Sequence, residues 1–231
     1  MRKATLLLFV MAAAARASSG CLVIDNFTQG KYRVRFDTAS NNFTDSKRAQ
    51  TGNNILGGVR NPFFLYAPNP SFGLIGELVV ARDGAPLAVS MGPRAFFRLD
   101  LMYGLDANTP PMSAPLGYFP TGCDRFRVGF DSNSRVLNFN VEVFQTNGQI
   151  FLVGLNLVPN DTGLPFCVDF PFANFVTNVG PPQQFATNGI GGIDVIFQSG
   201  SAIGANDFAV TKFETVTPAT AAASPCAFVA N

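Results

Sequence analysis

The sequence predicts an all-β fold of two packed sheets, and three observations carry that prediction. Its 231 residues include 24 Phe, 22 Gly and 16 Pro, ample core material cut into short pieces by turns. From Leu22 onward, apolar residues recur at every second position or in short runs, the pattern of strands rather than helices. Only 13% of residues are charged, about half the usual share, so neutral polar side chains must cover the surface.

The strands follow in order. Leu22–Phe27 comes first, then Tyr32–Phe36, where Tyr, Val and Phe alternate with Arg33 and Arg35. The stretch 37–54 is rich in Ser, Thr and Asn and reads as a loop. Ile55–Tyr66 resumes the apolar pattern with Gly57, Gly58 and Pro62 inside it, which predicts a bulge or an edge position. Glu77–Arg82 and Pro86–Met91 form a hairpin about Asp83-Gly84. Ala95–Tyr103 precedes a long loop, Gly104–Gly122, with four prolines and no periodicity. Asp124–Phe130 is next, with Arg125 and Arg127 read as solvent-facing. Arg135–Gln145 and Gln149–Val158 flank Asn147-Gly148, a strong hairpin signal. Phe166–Phe170, a Phe-rich bend at Pro171–Phe175, Ile190–Gln198 and Asp207–Val216 complete the series. The Ala-, Thr- and Pro-rich tail from Thr217 reads as loose apart from Cys226. Residues 18–216 are thus one domain and 217–231 a tail.

The N-terminus reads Met1-Arg2-Lys3, an apolar run to Ala15, then Ala15-Arg16-Ala17: a basic start, a hydrophobic stretch and a small-residue cleavage site. Residues 1–17 are therefore expected to be a signal peptide, and the chain to be secreted with no transmembrane segment. Loss of Arg2, Lys3 and Arg16 leaves 13 basic against 15 acidic groups, a formal charge of −2. Such a chain offers no basic patch for nucleic acid. Cys21, preceded by Ser19-Gly20, fits in part the pattern of a lipid-anchored cysteine, a minor alternative.

Cys21, Cys123, Cys167 and Cys226 form an even set without C-x-x-C spacing, which predicts two disulfides. Of three possible pairings, Cys123–Cys167 and Cys21–Cys226 are expected. The absence of His and Trp removes His-dependent hydrolase triads and the usual His-containing zinc sites.

Several segments taken together carry a family likeness: Ile24-Asp25-Asn26-Phe27, Ile55-Leu56-Gly57-Gly58-Val59-Arg60, Val168 through Phe175, Ile193 through Phe197 and Asn206 through Val210. Their order resembles that of the galactose-binding-like jelly-roll domains. These include carbohydrate-binding modules, the complex I intermediate-associated family and uncharacterised secreted bacterial β-sandwich proteins. The resemblance implies a two-sheet antiparallel jelly-roll β-sandwich. No cofactor is expected, but members of such families that hold a structural calcium bind it near the first and last strands, where Asp25, Asp207 and Glu214 are the candidates here; the alternative is that Asp25 and Asp207 are turn or strand-end residues bonded to nearby backbone. Sugar-binding members commonly stack their ligand on Trp, which this chain lacks.

For glycan binding, planar rings and hydrogen-bonding side chains must share a surface. Tyr103 and Tyr118 are the candidate rings, with Arg98, Asp100 and Asn140 as polar contacts. Asp100, Glu142 and Asp194 lie in apparent strands and would be the carboxyl groups of a glycosidase, but no motif fixes their geometry and no catalytic residue is assigned. Asn26, Asn42 and Asn160 begin glycosylation sequons, of meaning only in a eukaryotic host. The expected protein is a secreted, non-catalytic module that binds carbohydrate at the cell surface or in the extracellular matrix. Its expected partners are glycans or extracellular proteins. A structural, self-associating extracellular protein with no small ligand is the alternative.

Overall fold

Strict alternation of apolar and polar residues shapes most of the chain into two antiparallel sheets. The computed structural model describes residues 18–36, 44–47, 49–67, 76–82, 85–93, 95–105, 115–160, 162–178, 185, 189–199 and 205–231. The leader assigned to residues 1–17, the Asp83-Gly84 turn and the sequon at Asn42 lie outside them.

The strands are β1 Ser18–Ser19, β2 Val23–Asp25, β3 Tyr32–Phe36, β4 Thr44–Lys47, β5 Gln50–Thr51, β6 Val59–Ala67, β7 Gly76–Arg82, β8 Ala85–Met91 and β9 Phe96–Tyr103. They continue with β10 Tyr118–Phe119, β11 Arg125–Asn133, β12 Leu137–Gln145, β13 Ile150–Leu157, β14 Phe166–Pro171, β15 Val176–Thr177, β16 Ile190–Ser199, β17 Asn206–Val216 and β18 Phe228–Val229. The first sheet runs β15-β13-β12-β16-β9-β6-β4, with β10 on β16, β1 on β10 and β5 on β6. The second runs β18-β14-β11-β17-β8-β7-β3, with β2 on β17. The chain passes repeatedly from one sheet to the other, and the result is a two-sheet antiparallel jelly-roll β-sandwich. Among the described residues only the short pairs β1–β10 and β14–β18 are parallel.

Along β12 the odd-numbered residues Leu137, Phe139, Val141 and Val143 are buried while their neighbours face outward. The Phe residues hold the sheets together. Phe139 of the first sheet stacks on Phe197 at 4.7 Å and meets Phe170 of the second edge-on at 4.8 Å. A buried Phe contributes on the order of 1.5–3 kcal/mol, and ring pairs add to that. The Phe-rich bend joins the same core, with Phe126 and Phe172 edge-to-face at 5.0 Å.

Both expected hairpins form. β7 and β8 pair down to Arg82 and Ala85 across two intervening residues. Thr146-Asn147-Gly148-Gln149 joins β12 to β13, and the Gln145 N–H donates to the Gln149 carbonyl at 2.8 Å. Gly148 takes a φ of +87° and donates its N–H to the Gln145 carbonyl at 3.0 Å.

Several expectations are corrected. The polar stretch 37–54 is not all loop, because Thr44–Lys47 and Gln50–Thr51 pair with β6. Pro62 therefore lies in an interior strand, tolerated because neither β4 nor β5 pairs with Asn61 or Pro62. The proline-rich segment carries β10. Arg127 is not solvent-facing: its Nε and Nη2 donate to Asp169 at 2.7 and 3.0 Å, and it is buried.

The disulfides are Cys21–Cys123 and Cys167–Cys226, not Cys123–Cys167 and Cys21–Cys226. Parallel pairing of β1 with β10 carries Cys21 to Cys123, with Cα atoms 5.5 Å apart. Pairing of β18 with β14 brings Cys226 to Cys167, at 4.8 Å. With its sulfur in this bond, Cys21 has none for a lipid thioether. The tail is docked rather than loose. Helix α1, Pro218–Ala223, is capped by Thr217, whose hydroxyl accepts the Thr220 N–H at 3.1 Å, and opens on Pro218. Ala230 is fully buried, and its N–H donates to the Asp169 carbonyl. Among the described residues no helix is long and apolar enough to cross a membrane.

Candidate functional site

The polar side chains that the sequence marks out fall into two places: one inside the sandwich, and one on the outer face of the first sheet.

Inside, the expected tyrosine platforms are absent. Tyr103 and Tyr118 are fully buried. Tyr103 alternates inward with Phe97, Leu99 and Leu101 along β9, and its hydroxyl donates to Asp25 Oδ2 at 3.0 Å. The Tyr118 hydroxyl donates to the Gly20 carbonyl at 2.9 Å and lies 2.5 Å from Thr215 Oγ1. Burial pushes the Tyr118 phenol up to about 12 and that of Tyr103 well above its usual range. Neither ring can stack on a ligand.

The expected calcium set does not converge either. Asp25 is fully buried, paired with Arg60 Nη1, and its Oδ1 accepts the Phe27 N–H at 2.7 Å. Burial raises its carboxyl, and Arg60 opposes the rise. Asp207 is exposed near the start of β17. Glu214, seven residues on and about 23 Å along the strand, ion-pairs with Lys212. Among the described residues no three acidic or cysteine side chains stand together to hold a metal ion.

The outer face of the first sheet is different. The antiparallel registers set Met102, Asp194, Glu142 and Leu152 in one row across β9, β16, β12 and β13. The next row is Phe63, Asp100, Ile196, Asn140 and Gly154, and the next Leu65, Arg98, Gln198, Asn138 and Asn156. Residues directly opposite have Cβ atoms about 4.5–5.5 Å apart. Arg98, Asp100 and Asn140 thus lie on one face, with Ile196 between Asp100 and Asn140, and Glu142 and Asp194 share that face. The polar amides Gln198, Asn138 and Asn156 went unread in the sequence. Alternation alone marks them as outward, but only the register between distant strands aligns them.

Local packing fixes these side chains. Arg98 Nε donates to both carboxylate oxygens of Asp100, at 2.7 and 3.1 Å. Asn140 lies over the neighbouring strand where Gly154 has no side chain; a Cβ there would fall 1.8 Å from Asn140 Oδ1. Leu105 covers Gly192, where a Cβ would come within 2.4 Å of it, and its carbonyl accepts from Asn61 Nδ2 at 2.6 Å. Leu105 and Met102, both buried, close one end of the face. The other end, where the Arg98 side chain is 40% exposed, is open.

The closed end explains the electrostatics. Asp194 is only 7% exposed and its Oδ1 has no hydrogen-bond partner. Burial first, then the charges of Asp100 and Glu142, hold its carboxyl well above the usual range against the pull of Arg98. Burial also raises Asp100 and Glu142, again opposed by Arg98. The Arg98 guanidinium is raised in turn, chiefly by its bond to Asp100. The face thus carries fixed donors, fixed acceptors and one carboxyl that holds its proton more tightly than an ordinary carboxylate.

No protein-family model matches the chain, and no curated protein matches it. Solved structures with a similar fold include the Family 11 carbohydrate-binding module of the cellulosomal cellulase Lic26A-Cel5E of Clostridium thermocellum, at TM-score 0.38 and 8% identity over 87% of this chain and 96% of that one. A second is TmCBM61 in complex with β-1,4-galactotriose, at TM-score 0.31 and 9% identity over 82% of this chain and 91% of that one. A third is the agarase AgWH50C, at TM-score 0.39 and 10% identity over 86% of this chain but 24% of that one.

Proposed function

We propose that the chain is an exported, non-catalytic carbohydrate-binding module that takes a glycan on the outer face of its first sheet. The observation that carries this reading is the alignment of Arg98, Asp100, Asn140, Glu142, Gln198 and Asn138 on adjacent positions of three central strands. Sugar hydroxyls both donate and accept. A row of carboxylates, amides and a guanidinium on a rigid sheet meets both needs. Phe63 and Leu65 at one margin and Leu152 at the other supply the apolar surface that sugar rings pack on.

The same geometry argues against glycoside hydrolysis. Two carboxyl groups must reach the sugar from opposite sides, whereas Asp100 and Asp194 are 5% and 7% exposed and Asp100 is already bound by Arg98. Export is supported by the disulfides, which persist in oxidising surroundings, and by the basic and apolar N-terminal residues. Extracellular protein partners belong to a second reading, self-association. The observation that favours it is that Val176 and Val229 are exposed on β15 and β18, the strands that end the two sheet orders, although the shortness of both strands limits edge pairing.

The test is retention of the purified protein on insoluble and soluble polysaccharides, mixed-linked β-glucan and β-galactan among them. Selective retention, weakened about tenfold or more by Arg98→Ala or Asn140→Ala with unchanged melting, supports the site. No retention on any polysaccharide overturns it and transfers the weight to self-association, measured as sedimentation against concentration.

A further inference from the structure

On the reading above that this face takes a glycan, we infer that the glycan carries protonated amines: a glucosamine-type polymer in preference to acetylated, neutral or uronate ones. The inference rests on the charge count of the face and on one missing partner. Among the described side chains of the face, Asp100, Glu142 and Asp194 stand against one cation, Arg98, whose Nε is committed to Asp100, and β4 adds one charge of each sign at the margin, Lys47 opposite Phe63 and Asp45 opposite Leu65. Glu142 and Asp194 stand directly opposite each other across β12 and β16. The other outward residues around them on β6, β9, β12 and β13, namely Asn61, Phe63, Met102, Asn140 and Leu152, are uncharged.

Asp194 Oδ1 is buried and receives no hydrogen bond, and the residue is 93% buried. A buried carboxyl in that state is costly if ionised. Holding a proton relieves that cost, and its surroundings favour it. A ligand ammonium set against Glu142, the half-buried and reachable member of the pair, brings positive charge and N–H donors to the position where the sheet supplies none. It also offsets the repulsion that Glu142 exerts on an ionised Asp194. A uronate carboxylate in the same place adds a fourth negative group, and an N-acetyl group adds bulk without charge. Asn140, Asn138 and Gln198 remain for the ring hydroxyls.

The experiment compares binding of the whole protein to a glucosamine hexasaccharide, its fully N-acetylated counterpart and a hexauronate by calorimetry, near pH 6 and at low salt. The expected result is glucosamine binding at least about tenfold tighter than the acetylated form and no uronate binding. The preference should shrink as salt rises. Glu142→Gln and Asp194→Asn should each bring the two affinities together. Spermine, which matches the charge but not the sugar, should compete poorly. Equal affinity for the amino and acetylated sugars, or competition by spermine as strong as by the sugar, overturns the inference while leaving glycan binding intact. If none of the three oligosaccharides binds and the polysaccharide panel is also negative, the glycan reading itself has failed. A salt-independent preference in the unmutated protein overturns the charge argument even where a variant does not fold.

Discussion

The hydroxyl of Tyr103 donates a 3.0 Å hydrogen bond to Oδ2 of Asp25, the same carboxylate oxygen that receives Arg60 Nη1. Asp25 belongs to the second sheet, and Tyr103 and Arg60 to the first, so this contact ties the layers together through a polar group in an apolar core. Arg60 has no exposed surface and spends its other donors on Gln50 Oε1 at 2.6 Å and on the Gln29 and Gly30 carbonyls at 3.1 and 3.3 Å. It also lies 5.3 Å over the Phe27 ring. Phe27 has a φ of 56°, a left-handed conformation in which Asp25 Oδ1 holds its N–H. The network thus fixes the chain between β2 and β3.

Removing Arg60 leaves Asp25 buried without a counter-ion. Arg60→Met is expected to cost about 3–5 kcal/mol, whereas Tyr103→Phe, which deletes one hydrogen bond, costs about 1 kcal/mol. Denaturant titrations of both variants check the order. Polysaccharide retention by Tyr103→Phe should match that of the unmutated protein, because the ring is inside the sandwich.

Each disulfide closes a long loop. Cysteine separations of 102 and 59 correspond in the loop-entropy account to about 4.7 and 4.2 kcal/mol. Cys226→Ser with Cys167→Ser should release the tail from β14, lower the melting temperature and make the bonds after Thr217 cleavable by protease. Peptide mapping without reduction should yield Cys21 joined to Cys123 and Cys167 joined to Cys226. Recovery of Cys21 with Cys226 would contradict the strand pairings of β1 and β18.

How much of this was legible in the sequence follows from the range of each interaction. Alternation within β6, β9, β12 and β17 is local, so the strands and the hairpin at Gly148 could be read directly. Pairing between Ser18 and Tyr118 or between Val168 and Phe228 is not local, and with it went the disulfides and the docked tail. The site splits in the same way. Arg98, Asp100 and Asn140 could be placed on outward positions by period alone. That Asp194 opposes Glu142 requires knowing that β16 inserts between β9 and β12. Tyr103 and Tyr118 misled because a phenol reads as amphipathic, while here each hydroxyl found a buried acceptor and the ring followed it inside.

Alkaline titration separates the tyrosines. With burial pushing Tyr118 to about 12 and raising Tyr66 and Tyr103, phenolate absorbance should lag behind that of free tyrosine and rise together with unfolding. The sign follows from linkage: a group whose pKa is higher in the folded chain keeps its proton there and loses it on unfolding. Stability is therefore intact below the free phenol's pKa near 10 and falls as the pH rises through the folded values. Titration of three or four phenols near pH 10 in the folded protein would contradict their burial.

Asp194 should leave its own mark on the pH dependence of stability. Its carboxyl is raised well above 3.8 in the folded protein, so the folded chain binds the proton more tightly than the unfolded one. Its contribution is present below 3.8 and is lost as the pH climbs through the raised value. Asp194→Asn keeps the shape and cannot ionise. The variant should match the unmutated protein near pH 4 and exceed it near pH 8, where each kcal/mol gained adds about 2–4 °C to the melting temperature. Asp25, Asp100 and Glu142 are raised too, so part of the slope remains. Melting curves at pH 4, 6 and 8 check this, and an unchanged slope would mean that Asp194 ionises freely and is not the proton-retaining member of the face.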